Sequence, residues 1–213
     1  DLTITAAYTG ETLAGQENLS ACESLRIGSA AHPNETLRQL SLPALKEIKG
    51  DLCVYGTALQ TADFKSLQSV AGHFVLQSDA LLQLTADELT TVAGNMTLIG
   101  TTADEAKAPC EQMYFPKLQR IDGTLTLSRF DRLSGLGTTF GVLTQAGALR
   151  YEHLALANTF EFPLIETTGN ITVTDCPILR SVLLPALTDA GSLEITGCPA
   201  IETLSFPKAE RCQ

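Results

Sequence analysis

The sequence predicts an all-β fold, a solenoid of about nine coils with a 22-residue period, and three observations carry that expectation. An apolar frame recurs along the chain at a nearly constant step. Its last apolar pair alternates strictly with polar neighbours, as in Leu125-Thr126-Leu127, Ile171-Thr172-Val173 and Leu193-Glu194-Ile195, the period of a strand buried on one face. Proline stands beside the first apolar residue of several copies, and glycine commonly interrupts the pattern about seven residues later, which disfavours a string of amphipathic helices.

A degenerate first copy runs Leu19, Cys22, Leu25, Ile27, so residues 1–27 read as an N-terminal coil or cap. The full frame appears as Leu40, Leu42, Pro43, Leu45, Ile48, Gly50, Leu52 and Val54. It returns at Lys65 (Phe64, Leu67, Val70, Gly72, Phe74, Leu76), at Asp87 (Leu84, Leu89, Val92, Gly94, Met96, Leu98) and at Pro116 (Met113, Phe115, Leu118, Ile121, Gly123, Leu125, Leu127). A variant one residue shorter before the final pair appears at Gly141 (Phe140, Leu143, Ala146, Leu149, Tyr151), Pro163 (Phe160, Phe162, Ile165, Ile171, Val173) and Pro185 (Val182, Leu184, Leu187, Ala190, Leu193, Ile195). Residues 204–213 begin a truncated last copy with Leu204, Phe206 and Pro207. From residue 43 onward the anchors step by 22, 22, 29, 25, 22, 22 and 22 residues.

A coil of this length, made of short strands and bends, closes once around an axis and stacks each apolar residue on its counterpart in the next coil. Leu52, Phe74, Met96, Leu125, Leu149, Ile171 and Leu193 should form one ladder; Leu42, Phe64, Ala86, Phe115, Phe140, Phe162 and Leu184 should form another. No coil buries its inner face alone, so residues 1–213 are read as a single solenoid domain. The outward residues between the ladder pairs are Arg26, Cys53, Val75, Thr97, Thr126, Arg150, Thr172 and Glu194, with no stacked carboxylates of a carbohydrate-cleaving β-helix. No frame position carries a recurring Asn, which separates these repeats from horseshoe leucine-rich repeats.

Composition narrows the function classes. Of 213 residues, 24 are acidic and 14 basic, and the formal charge of −10 repels phosphate, so nucleic acid is a poor partner. Four of the five Asn open an Asn-X-Ser/Thr triplet, at Asn18, Asn34, Asn95 and Asn170. Chance in a chain with 26 Thr and 12 Ser would give about one, so these read as glycosylation sites in a eukaryotic secretory pathway. The six cysteines (Cys22, Cys53, Cys110, Cys176, Cys198, Cys212) lack zinc spacing and suit an oxidising compartment as disulfide candidates. Cys176 and Cys198 hold the same place in successive coils, Cys22 and Cys53 lie one coil apart, and Cys212 lies one coil beyond Cys198. A disulfide and a buried reduced ladder both fit Cys176 and Cys198, and the sequence leaves the connectivity open. No phosphate loop, Gly-x-Ser-x-Gly elbow or His-Glu-x-x-His metal site occurs, so no catalytic residue, metal or cofactor is expected. Membrane attachment would need a segment outside this sequence.

Insertions in a solenoid emerge as loops, where binding surfaces usually sit. One extends the turn around 28–36. A second, 101–112, carries Asp104, Glu105, Lys107 and Glu111 beside Cys110; a third, 129–139, groups Arg129, Phe130, Asp131 and Arg132. The second and third are the expected partner-binding surface.

The frame Phe/Leu-Pro-x-Leu-x-x-Ile-x-Gly-x-Leu-x-Ile, seen at 42–54 and 115–127, resembles the receptor L domain, as do the corners Cys176-Pro177 and Cys198-Pro199. That family occurs in insulin-receptor and epidermal-growth-factor-receptor ectodomains and in GPI-anchored fungal cell-wall and sporulation proteins. The resemblance spans residues of about 13–210 and implies a single right-handed β-helix on a secreted or surface-anchored protein without enzymatic activity. The functional expectation is a glycosylated cell-surface or cell-wall protein that presents loops for adhesion, wall organisation or contact with a protein or glycan partner. A GPI anchor is the implied attachment. A receptor ectodomain binding a protein ligand and a carbohydrate-active β-helix enzyme are the alternatives.

Overall fold

The computed structural model describes residues 1–14, 17–101, 109–133 and 139–212. Among them the backbone forms 24 strands, all paired in parallel, wound into a β-solenoid of about nine turns with a spacing of about 22 residues. Each regular coil has three faces: a three-residue strand, a two-residue strand and a four-residue strand, as in Thr61–Asp63, Ser69–Val70 and Phe74–Gln77.

The face of four-residue strands, here the long face, carries the first expected ladder in full. Leu52, Phe74, Met96, Leu125, Leu149, Ile171 and Leu193 stand in register, and the ladder continues back through Leu25 to Leu2. Strand Leu2–Ile4 is thus an additional rung that periodicity alone did not reveal, because residues 1–18 lack the frame's proline-and-glycine spacing. The outward column also falls where expected: Arg26, Cys53, Val75, Thr97, Thr126, Arg150, Thr172 and Glu194 are successive neighbours. Every member of the second ladder, from Leu42 to Leu184, is buried. Within it the Phe115 and Phe140 rings stack at 5.5 Å and Phe140 meets Phe162 at 6.0 Å.

Local chemistry explains the recurring punctuation. The first apolar residue and the one three places later close a β-turn, with Leu45 N–H donating to Leu42 O at 3.2 Å and Leu187 N–H to Leu184 O at 3.2 Å. Proline at the second position of such a turn supplies its fixed φ, which places Pro43, Pro116, Pro163 and Pro185. Glycine fills the corner before the long face because the coils touch there. Gly94 N–H donates to Gly72 O at 2.9 Å, and a Cβ on Gly94 would lie 2.6 Å from that same oxygen. The shorter repeat variant begins as a β-bulge: between strands Arg120–Ser128 and Gln145–Glu152 the register shifts after Ile121, so Asp122 and Gly123 oppose the single Gly147.

A side-chain ladder beside the glycines was not anticipated. Asp51 Oδ1 accepts from His73 N–H (3.0 Å), His73 Nδ1 from Asn95 N–H (2.9 Å), Asn95 Oδ1 from Thr124 N–H (2.9 Å), and Asn170 Oδ1 from Ser192 N–H (3.1 Å). The absence of a recurring Asn concealed it, since Asp, His and Asn all present an acceptor at the required reach. Such mixed acceptors do the work that a single residue type does in horseshoe repeats.

Candidate functional site

The corner that leaves the long face is irregular. Its first residue adopts a left-handed conformation in four successive coils: Arg129 (φ 61°), His153 (φ 53°), Asp175 (φ 52°) and Gly197 (φ 64°). Three of the four carry a Cβ and sit in a conformation that favours glycine. Their N–H groups hold them there, donating at 3.0 Å to Glu152, Thr174 and Thr196 carbonyls of the next coil. The residue that follows turns inward: Phe130, Leu154 and Cys176 are buried and Cys198 is half-buried. The chain then turns outward, leaving Leu156 at 51% and Ile178 at 42% exposure in adjacent coils.

Between these coils and the preceding insertion lies a cavity of about 350 Å³ lined by Pro109, Asp131, Arg132, Ala155 and Leu156. Arg132 Nε faces Glu111 Oε1 at 3.6 Å, so the two expected loops do meet. Both side chains are more than half exposed, and a pair of that kind stabilises by well under about 1 kcal/mol; it orients the guanidinium rather than holding the fold. Of the expected binding residues, the structure brings Glu111, Asp131 and Arg132 together and places Arg129 at the strained corner. Phe130 is a correction: it is fully buried in the hydrophobic core and cannot contact a partner. Asp104, Glu105 and Lys107 lie outside the described residues. Pro109, Ala155 and Leu156 were missed, since only the stacking of coils sets Leu156 beside Pro109, 47 residues earlier in sequence.

The Asn-X-Ser/Thr sites divide sharply. Asn18, Asn95 and Asn170 are exposed. Asn95 and Asn170 occupy one column of the glycine corner, each with its Oδ1 turned to the next coil. Asn34 is instead fully buried: Nδ2 donates to Tyr8 O (3.0 Å) and Thr5 O (3.3 Å), while Oδ1 accepts from Leu37 N–H (2.7 Å) and Thr36 N–H (3.1 Å). A sugar on that nitrogen has no room in the folded chain. Asn34 is a latch between the N-terminal segment and the second coil, and the expectation of glycosylation there is corrected.

Cys22, Cys53, Cys110, Cys176 and Cys198 are free thiols. Cys22 opposes Ile48, whereas Cys53 lies between Arg26 and Val75 on the outer side of the long face, so their one-coil separation in sequence does not make them partners. Cys212 opposes Ala190, a different column from Cys198. Burial pushes the Cys110 thiol up to about 12 and the Cys176 thiol to about 11, with smaller rises from the same cause at Cys22 and Cys53. Among the described residues no cluster of three or more His, Cys, Asp or Glu could hold a metal ion, and no helix is long and apolar enough to cross a membrane.

Compared with protein-family models, curated proteins and solved structures, the chain matches none of them.

Proposed function

We propose that this chain is a non-enzymatic, glycosylated cell-surface or cell-wall protein that uses the irregular corner of a stiff solenoid to hold a protein partner. The observation that carries the reading is the meeting of Glu111, Asp131 and Arg132 with exposed Leu156 around one cavity. An apolar anchor ringed by charges of both signs suits a partner presenting an apolar side chain beside a complementary ion pair. Asn95 and Asn170 place glycans on the glycine corner, at the other end of the long-face strands, where they leave the cavity open. The excess of glycosylation triplets and the even cysteine count support secretion. The receptor L-domain resemblance supports the same compartment and a surface anchor.

The test joins glycopeptide mapping with binding. Expressed in a eukaryotic secretory host, the chain carries glycans at Asn95 and Asn170 and none at Asn34. The soluble chain binds cells or wall fragments of its source, and the double variant R132E/L156D loses at least about tenfold in affinity, with thermal stability unchanged. Undiminished binding by that variant, or hydrolysis of wall polysaccharide abolished by one carboxylate substitution, overturns the proposal.

A further inference from the structure

We propose that Cys176 and Cys198 form a disulfide that pins the last coils of the solenoid together, with Cys198 as the thiol that reacts first. The argument is independent of the functional reading above, since it rests on register and burial alone.

The two cysteines close the strands Ile171–Thr174 and Leu193–Thr196, whose residues face each other in register up to Thr174 and Thr196. Each then opens the same proline turn, with Leu179 N–H donating to Cys176 O (3.2 Å) and Ile201 N–H to Cys198 O (3.4 Å). Equivalent places in adjacent coils are one strand spacing apart, about 4.8 Å between Cα atoms, inside the range of about 4.4–6.8 Å that a disulfide spans. The thiols converge as well. Cys176 Sγ donates to Thr174 O at 3.5 Å, while Cys198 Sγ lies 3.3 Å from Thr196 O and reaches across to the coil of Cys176, 4.0 Å from Val173 O. The remaining cysteines stand on other columns: Cys22 faces Ile48, Cys53 faces Arg26 and Val75, Cys212 faces Ala190, and Cys110 is buried with its Sγ on Gln112 O.

Access fixes the order of events. Cys176 is buried, while Cys198 is half-buried in the coil that has a neighbour on one side only. The oxidant is a small-molecule disulfide such as glutathione disulfide. The Cys198 thiolate attacks one of its sulfurs, forming a mixed disulfide and releasing one glutathione thiolate. The Cys176 thiolate then attacks Cys198 Sγ, forming the Cys176–Cys198 bond and expelling the second glutathione thiolate. The two protein thiols lose two electrons and two protons, which leave as two molecules of glutathione. The product ties the terminal coil, with its half-buried Leu193, Ile195 and Ile201, to the coil beneath it.

The experiment incubates the folded full chain with glutathione disulfide, alkylates under denaturing conditions, digests and maps by mass spectrometry, with amide exchange in parallel. A peptide pair joined through Cys176 and Cys198, two hydrogens lighter than the thiols, is expected. The amides of 193–196 and 203–205 should exchange on the order of tenfold more slowly after oxidation. Cys176→Ser should retain glutathione on Cys198, and Cys198→Ser, a change at a half-buried position, should leave Cys176 unmodified. Alkylation of both cysteines in the oxidised native chain, a crosslink from either one to a different cysteine, or glutathione on Cys176 in Cys198→Ser overturns the proposal.

Discussion

At one end of the long-face strands, Gly50, Gly72, Gly94, Gly123, Gly147, Gly169 and Gly191 form a single column whose backbones touch. At the other end, Arg129, His153, Asp175 and Gly197 share a left-handed backbone while their side chains differ in charge, size and shape. The first corner meets its geometric demand with the residue best suited to it, seven times over. The second places side chains where glycine would be easier, and both long insertions open beside it, ahead of Gln112 and after Ser128. Repetition therefore marks where the solenoid is made, and departure from it marks where the surface is free to vary.

The largest expected effect strikes the core that both corners share. Leu125→Asp puts a carboxylate into the long-face ladder between Met96 and Leu149 and should cost at least about 4 kcal/mol, read as a lowered midpoint in denaturant or outright unfolding. A midpoint close to that of the parent would show that the ladder is not continuous.

Alkaline pH should loosen the insertion side. The folded chain keeps the Cys110 proton up to about pH 12, against an ordinary value of 9.0, so Cys110 favours the folded state below about pH 9. That contribution is lost as pH rises through 9 to 12 and amounts to at most about 4 kcal/mol. Denaturation midpoints measured across this range should fall, and Cys110→Ala should flatten the fall. Closure of the Cys176–Cys198 bond needs the Cys176 thiolate, held near 11 by burial, so it should accelerate about tenfold per pH unit below that value when samples are quenched with an alkylating reagent at timed intervals.

Two backbone substitutions sharpen the contrast of corners. Gly94→Ala drives a Cβ to 2.6 Å from Gly72 O and should cost about 2 kcal/mol by thermal unfolding. Asp175→Gly, smallest of the set, relieves a positive φ and should be neutral or stabilising by about 0.5 kcal/mol in the same assay. Opposite signs at the two corners are the result expected; equal losses would remove the distinction.

The ladders were legible because a parallel stack repeats its inward residues at a fixed step, and alternation fixes which side chains point in. Even the outward column from Arg26 to Glu194 could be read that way. Phe130 and Asn34 could not. Each lies in an insertion where the period is broken, and each is drawn inward by groups distant in sequence: the shared hydrophobic core for the ring, the carbonyls of Thr5 and Tyr8 for the amide. Cys22 and Cys53 misled for a related reason, since being one coil apart in sequence does not put two residues on one column or one face.

By itself the sequence determined the period, the strand faces, the proline turns and the glycine column, all of which follow from local sterics and apolar burial repeated at short range. Only the tertiary structure decided which loop residues meet at the cavity, which asparagines stand exposed and which is buried, and which thiols are neighbours. Those outcomes depend on how insertions of unequal length settle against adjacent coils, a matter of long-range packing that no period encodes.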